Sequence, residues 1–174
     1  IHTLELLKTP EETQVPQMPQ AESAGIGGSG EVPDACLKGL CDESGSRRKE
    51  AYSLWVQEGV LYITGTDRRG TVYGIYDLCE RIGVSPWYFW ADVPVKKKEE
   101  YLLPEGYGYQ DYPSVEYRGI FINDEEELEA WAKSHMEEES IGVRTYEKVF
   151  ELLLRLKGNY IWPAMHVNSF NVKR

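Results

Sequence analysis

Tyr117-Arg118-Gly119-Ile120-Phe121-Ile122-Asn123-Asp124-Glu125-Glu126-Glu127 is a short apolar strand that ends abruptly in one amide and four consecutive carboxylates. Parallel strands buried on both faces read as continuous apolar runs, and α/β folds set their working side chains just past the carboxyl ends of such strands. The junction has two readings. It is the mouth of a site, or it is the solvated first turn of a helix, where the macrodipole favours carboxylates. The residues downstream help decide the fold. Residues 126–136 have helical spacing, with Leu128, Trp131 and Ala132 on one face, and 137–142 break it. A stronger helix is predicted over 145–157: Tyr146, Val149, Phe150, Leu153, Leu154 and Leu156 face a core, Thr145 caps and Gly158 terminates. A second apolar run, Asn159-Tyr160-Ile161-Trp162-Pro163-Ala164-Met165, then leads into His166-Val167-Asn168-Ser169-Phe170-Asn171. Strand, helix, strand in this order predicts a parallel right-handed crossover and the start of a repeated βα array.

Working back from that strand, residues 106–113 alternate Tyr and Gly and read as a linker, which sets a domain boundary between 112 and 113. Tyr52 to Val56 and Val60 to Thr64 are predicted as two strands joined by a tight turn at Glu58-Gly59. A helix follows over 71–82, with Val72, Ile75, Tyr76, Leu78, Cys79 and Ile82 on its apolar face and Gly83 at its end. Asp67 or Thr71 would cap it, while Arg68 and Arg69 offer the alternative of an anion held at its start. Trp87-Tyr88-Phe89-Trp90 either stack on a ligand or pack a core. Lys96-Lys97-Lys98 read as a solvated strand edge. Further upstream, Pro33 to Leu40 is a short helix, and residues 9–30 are mostly loop, flexible at about 9–24. Gly25-Ile26-Gly27-Gly28-Ser29-Gly30 satisfies a dinucleotide pattern formally, but no buried strand precedes it, so no cofactor is expected there.

Composition narrows the function classes. A chain of 174 residues holds one ordinary domain or two small ones, and 41% hydrophobic content with five Trp and twelve Tyr supports a packed core. The net charge of -10 lacks the basic stripe that nucleic acid requires. An anionic substrate would need a local Arg or Lys pocket instead. Cys36, Cys41 and Cys79 cannot all pair and have no matching His cluster, so core thiols are predicted rather than a disulfide framework or zinc site. His2, His135 and His166 lie far apart without ligand spacing, so no metal is predicted. No apolar run reaches about 18 residues, so no helical membrane span is predicted. The first ten residues show no secretion signal, and the start at Ile1 and end at Arg174 read as the bounds of a piece of a longer protein. Compartment and oligomeric state stay open.

Four stretches together carry a family resemblance: residues 64–78 (Thr-Gly-Thr-Asp-Arg-Arg-Gly-Thr-Val-Tyr-Gly-Ile-Tyr-Asp-Leu), 83–98 (Gly-Val-Ser-Pro-Trp-Tyr-Phe-Trp-Ala-Asp-Val-Pro-Val-Lys-Lys-Lys), 117–125 and 150–165. In this order they resemble glycoside hydrolase family 115, over about residues 25–171. Its members are xylan α-1,2-glucuronidases that remove glucuronic acid or its 4-O-methyl ether with inversion. The resemblance implies an α/β fold: a small hexosaminidase-like amino-terminal domain (1–112), then the first βαβ unit of a truncated (β/α)8 TIM barrel (113–174). It implies glucuronoxylan or its oligosaccharides as substrate, and no nucleic acid, membrane or cofactor.

Inverting hydrolysis uses one protonated carboxyl and one carboxylate roughly 6.5–9.5 Å apart, with water between. Asp124 and Glu125 are neighbours in sequence, so one of them is expected as a catalytic or positioning carboxylate and its partner on a later strand. Asn123 is expected to bond sugar hydroxyls. Arg118 would bind hydroxyls or the uronate, or serve a salt bridge at the barrel floor. His166 stands where the family carries Trp and would hydrogen-bond rather than stack, and Asn171 is a further pocket residue. The competing readings are a non-catalytic carbohydrate-binding or interaction module, and another barrel glycosidase such as a hexosaminidase or a family 67 glucuronidase.

Overall fold

Glu58 and Gly59 both take positive φ, 55° and 72°, and turn the chain between two β-rich runs in the computed structural model, which describes residues 2–6, 32–123, 126–163, 165 and 166. Consecutive positive φ angles give a hairpin turn whose twist matches that of its strands. The strands joined are β2 (Tyr52–Gln57) and β3 (Val60–Gly65), and the Glu105 carboxylate accepts from the turn amides of Glu58 and Gly59 at 2.8 and 3.2 Å. The predicted hairpin is therefore present. The remaining elements are β1 (His2–Leu6), α1 (Asp34–Leu37), α2 (Arg68–Arg81), β4 (Gly108–Asp111), β5 (Gly119–Phe121), α3 (Glu126–His135), α4 (Val143–Arg155) and β6 (Tyr160–Trp162). The glycine-rich stretch 25–30 and the whole of the loop 9–30 lie outside the described residues.

The chain is mixed α/β and divides into two compact units, Ile1–Gly83 with Lys96–Ser114, and Val84–Val95 with Val115–Arg174. In the first, four antiparallel strands run in the order β1-β3-β2-β4. Two of these strands correct the expectation from sequence. The alternating Tyr and Gly residues expected as a linker include β4, paired with β2 from Trp55↔Gly108 to Tyr52↔Asp111. The first residues contribute β1, a strand that no sequence pattern marked. Conversely, residues 96–100 form no strand: they are exposed, and Lys98 Nζ donates to the Arg81 carbonyl at 2.7 Å.

Alternation along β2 sends Tyr52, Leu54 and Val56 to one face and Ser53 and Trp55 to the other. Tyr52, Leu54 and Ile63 are fully buried under α2. That helix approaches closely through glycine: a Cβ on Gly74 would lie 2.7 Å from Ile63 Cγ2. Its buried residues are Gly70, Tyr73, Gly74 and Asp77, while the predicted stripe of Val72, Ile75 and Tyr76 is only half-buried. The helix is rotated from its apolar face because small residues admit the sheet and Arg81 Nε, 2.5 Å from Asp77 Oδ2, compensates the buried carboxylate. Asp67 caps α2 as predicted, with Oδ1 accepting from Gly70 N at 2.8 Å. Arg69 pairs with Glu50 at 3.0 Å. On the other sheet face, Ser53 Oγ donates to the Cys36 carbonyl of α1 at 2.6 Å. Cys36 is the core thiol that was predicted, and burial pushes it up to about 11, but Cys41 is exposed.

In the second unit, β5 and β6 pair in parallel, with Gly119↔Tyr160, Ile120↔Ile161 and Phe121↔Trp162 in register. The predicted parallel pair is thus observed, joined through α3 and α4. Ile122 and Ile161 pack with Leu128 and Trp131 against the buried Ala132, Ile141 and Tyr146. Along α4 the buried positions are Thr145, Tyr146, Val149, Leu152 and Leu153, whereas Phe150 and Leu156 stay exposed. Thr145 does not cap. The helix starts two residues earlier at Val143, and Glu138 reaches its amides instead, accepting from Gly142 N, Arg144 N, Thr145 N and Thr145 Oγ1 at 2.7–3.2 Å. Of the aromatic run, Tyr88 OH donates to Glu151 at 2.9 Å, Trp90 Nε1 donates to the Lys148 carbonyl at 3.1 Å, and Trp90 stacks on Trp131 at 4.6 Å. These side chains pack the second unit, and Trp87 is the most open of the four.

Candidate active site

The parallel register brings the carboxyl ends of β5 and β6 level. Ile122 N donates to the Trp162 carbonyl at 2.8 Å and carries the ladder one residue past β5. Asn123 follows at once and is exposed. Beyond β6, His166 lies four residues past Trp162 at the same end of the pair, and it too is exposed. Asp124, Glu125 and Asn171 lie outside the described residues. Glu126 and Glu127, the other half of the carboxylate run, occupy the first turn of α3 and are exposed, where the helix dipole favours them. The helix-start reading therefore accounts for the second pair of carboxylates.

Arg118 belongs to the opposite end of the pair. It precedes β5, roughly 16–17 Å from Asn123 at about 3.3 Å per extended residue. Its Nε donates to the Lys157 carbonyl at 2.8 Å, and Nη1 donates to the carbonyls of Val115 and Glu116 at 2.8 and 3.1 Å. Asn159 completes this clamp, accepting from Arg118 N at 3.0 Å and donating to the Glu116 carbonyl at 2.7 Å. These backbone carbonyls hold the guanidinium, and it ties the entry of β5 to the exit of α4. Asn123 and His166 share the carboxyl end; Arg118 does not join them.

The two faces of β5 and β6 differ. One carries the isoleucines of the core. The other presents Phe121 and Trp162, 63% and 53% exposed, edge to face at 5.8 Å, and beneath them Tyr117 and Tyr160 at 6.0 Å. Sequence reasoning did not single out these aromatics, although the spacing Tyr117, Gly119, Phe121 and Tyr160, Trp162 holds the period-two signal. A parallel pair is ordinarily covered on both faces. Among the described residues no group of three or more His, Cys, Asp or Glu side chains could hold a metal ion.

A parallel strand pair with helices packed on one face defines the class of this unit as α/β. The family model of glycosyl hydrolase family 115 matches residues 110–174. Among solved structures, BtGH115A, a family GH115 4-O-methyl-α-glucuronidase with specificity for decorated arabinogalactans, is 46% identical with a TM-score of 0.66. The match covers 75% of this chain and 18% of that one, so the chain spans less than a fifth of its neighbour's length. No curated protein sequence matches. The chain belongs to glycoside hydrolase family 115.

Proposed function

We propose that the protein containing this chain is an inverting α-glucuronidase that hydrolyses glucuronic acid or its 4-O-methyl ether from side chains of glucuronoxylan. In this reading the first unit is a hexosaminidase-like leading domain. β5 and β6 are the first two strands of a (β/α)8 barrel, with Phe121 and Trp162 facing its interior. The observation that carries the reading is the level, parallel β5–β6 pair, helix-covered on one face and aromatic on the other, within the stretch matched by the family.

Asp124 or Glu125 then supplies one of the two carboxyl groups at the strand-one exit. It either donates a proton to the leaving glycosidic oxygen or takes one from the attacking water, and its partner sits on another barrel strand, roughly 6.5–9.5 Å away. Asn123 positions the sugar through its hydroxyls, with His166 and Asn171 from the exit of strand two. Arg118 serves by fixing the strand entries rather than by touching the sugar. A second substrate reading, decorated arabinogalactan, is favoured by the likeness to BtGH115A.

The full-length protein should release 4-O-methylglucuronic acid from glucuronoxylan, and the first anomer seen by proton NMR should be β. Release from arabinogalactan alone would move the substrate to the second reading. Binding to either polymer without release would make this a non-catalytic carbohydrate-binding module.

A further inference from the structure

We propose that a pocket of about 480 Å³ in the first unit, on the α1 side of the sheet, is a second sugar subsite that takes a uronic acid unit of the same polysaccharide. The volume falls in the range of small-ligand sites, roughly 300–1,000 Å³. Its floor is Trp55, which faces Gly108 across the β2–β4 pair. A Cβ at Gly108 would lie 2.3 Å from Trp55 Cζ3, so glycine there lets the indole lie down over the edge strand. The opposite wall is the turn after α1, where Gly39 has φ +88° and the Gln110 carboxamide donates to the Lys38 carbonyl. Two glycines thus open the space between an aromatic floor and a polar wall.

The chemistry of the lining selects the ligand. Trp55 Nε1 donates no hydrogen bond to a described residue, and the exposed Lys38 ammonium forms no ion pair with one. An indole surface packs the apolar C–H face of a pyranose, and its free N–H bonds a hydroxyl. The lysine adds a point charge that favours a carboxylate, in a chain whose net charge of -10 otherwise repels anions. The identity of the polymer rests on the function proposed above; the pocket itself does not.

The test uses the full-length protein and its Lys38→Glu and Trp55→Ala variants in native gels containing glucuronoxylan or uronate-free arabinoxylan, with kinetics on glucuronoxylan and on a short 4-O-methylglucuronosyl xylo-oligosaccharide. Lys38 is exposed, so Lys38→Glu should fold normally. It should weaken retardation by glucuronoxylan and raise KM on that polymer about three- to tenfold, the scale of one charge-assisted contact. Trp55→Ala should weaken retardation in the same direction. Values of kcat, and kcat/KM on the short substrate, should not move with Lys38→Glu. Retardation unaffected by Lys38→Glu, or equal retardation by arabinoxylan, would overturn the subsite even if uronic acid is released. Lys38-dependent retardation by glucuronoxylan without release of uronic acid would support the subsite and sink the proposed activity.

Discussion

Asp67 and Glu138 do the same work at two helix starts, and only one was legible in the sequence. Asp67 directly precedes α2, where a carboxylate is an ordinary N-cap, and its second oxygen also accepts from Glu50 N at 2.9 Å. Asp67→Ala should cost about 1–2 kcal/mol, read as faster amide exchange at both Gly70 and Glu50 in the full-length protein, while Asp67→Asn keeps one acceptor oxygen for Gly70 N and should speed exchange at Glu50 alone. Glu138 stands four residues before the N-cap Gly142, so no cap pattern reveals it. Burial raises its carboxyl, but the hydrogen bonds from Thr145 and the backbone amides of Arg144, Thr145 and Gly142 outweigh burial and hold it below the usual carboxylate range. Its folded pKa is depressed, so its stabilisation is present above the unfolded value of about 4.3 and is lost as pH falls through the folded pKa. Glu138→Gln should lower amide protection at Arg144 and Thr145 near neutral pH. The variant and parent should converge in acid.

The elements were legible where burial alone set the pattern. β5, β6 and the β2–β3 hairpin are short apolar runs with turn signals, and burial on the core side leaves few alternatives. β4 was missed because Gly108 looks like linker sequence until Trp55 lies across it. The face of α2 was misread because two glycines and an Arg-compensated Asp77 replace the apolar stripe at the sheet. Gly119 has the same logic at the parallel pair: a Cβ there would lie 2.1 Å from the Tyr160 carbonyl oxygen. Because that neighbour is backbone, Gly119→Ala should force the strands apart and cost about 2–4 kcal/mol, measured by chemical denaturation.

For the molecule as a whole, the family and the parallel strand pair were readable from the sequence, but the division of the carboxylate run between helix and strand exit was not. A run of carboxylates looks the same whether it starts a helix or lines a site. Glu126 and Glu127 belong to α3, which leaves Asp124 and Glu125 as the candidates at the strand exit. The isolated 174-residue chain should show no turnover in a uronic acid release assay, because two parallel strands cannot close a barrel. The most direct measurement is the rate of 4-O-methylglucuronic acid release from glucuronoxylan by the full-length protein and its Asp124→Asn and Glu125→Gln variants. The proposed site predicts that at least one variant loses about 10²–10⁴-fold in kcat, the range for a general acid or base. Both variants turning over at the parent rate would contradict it.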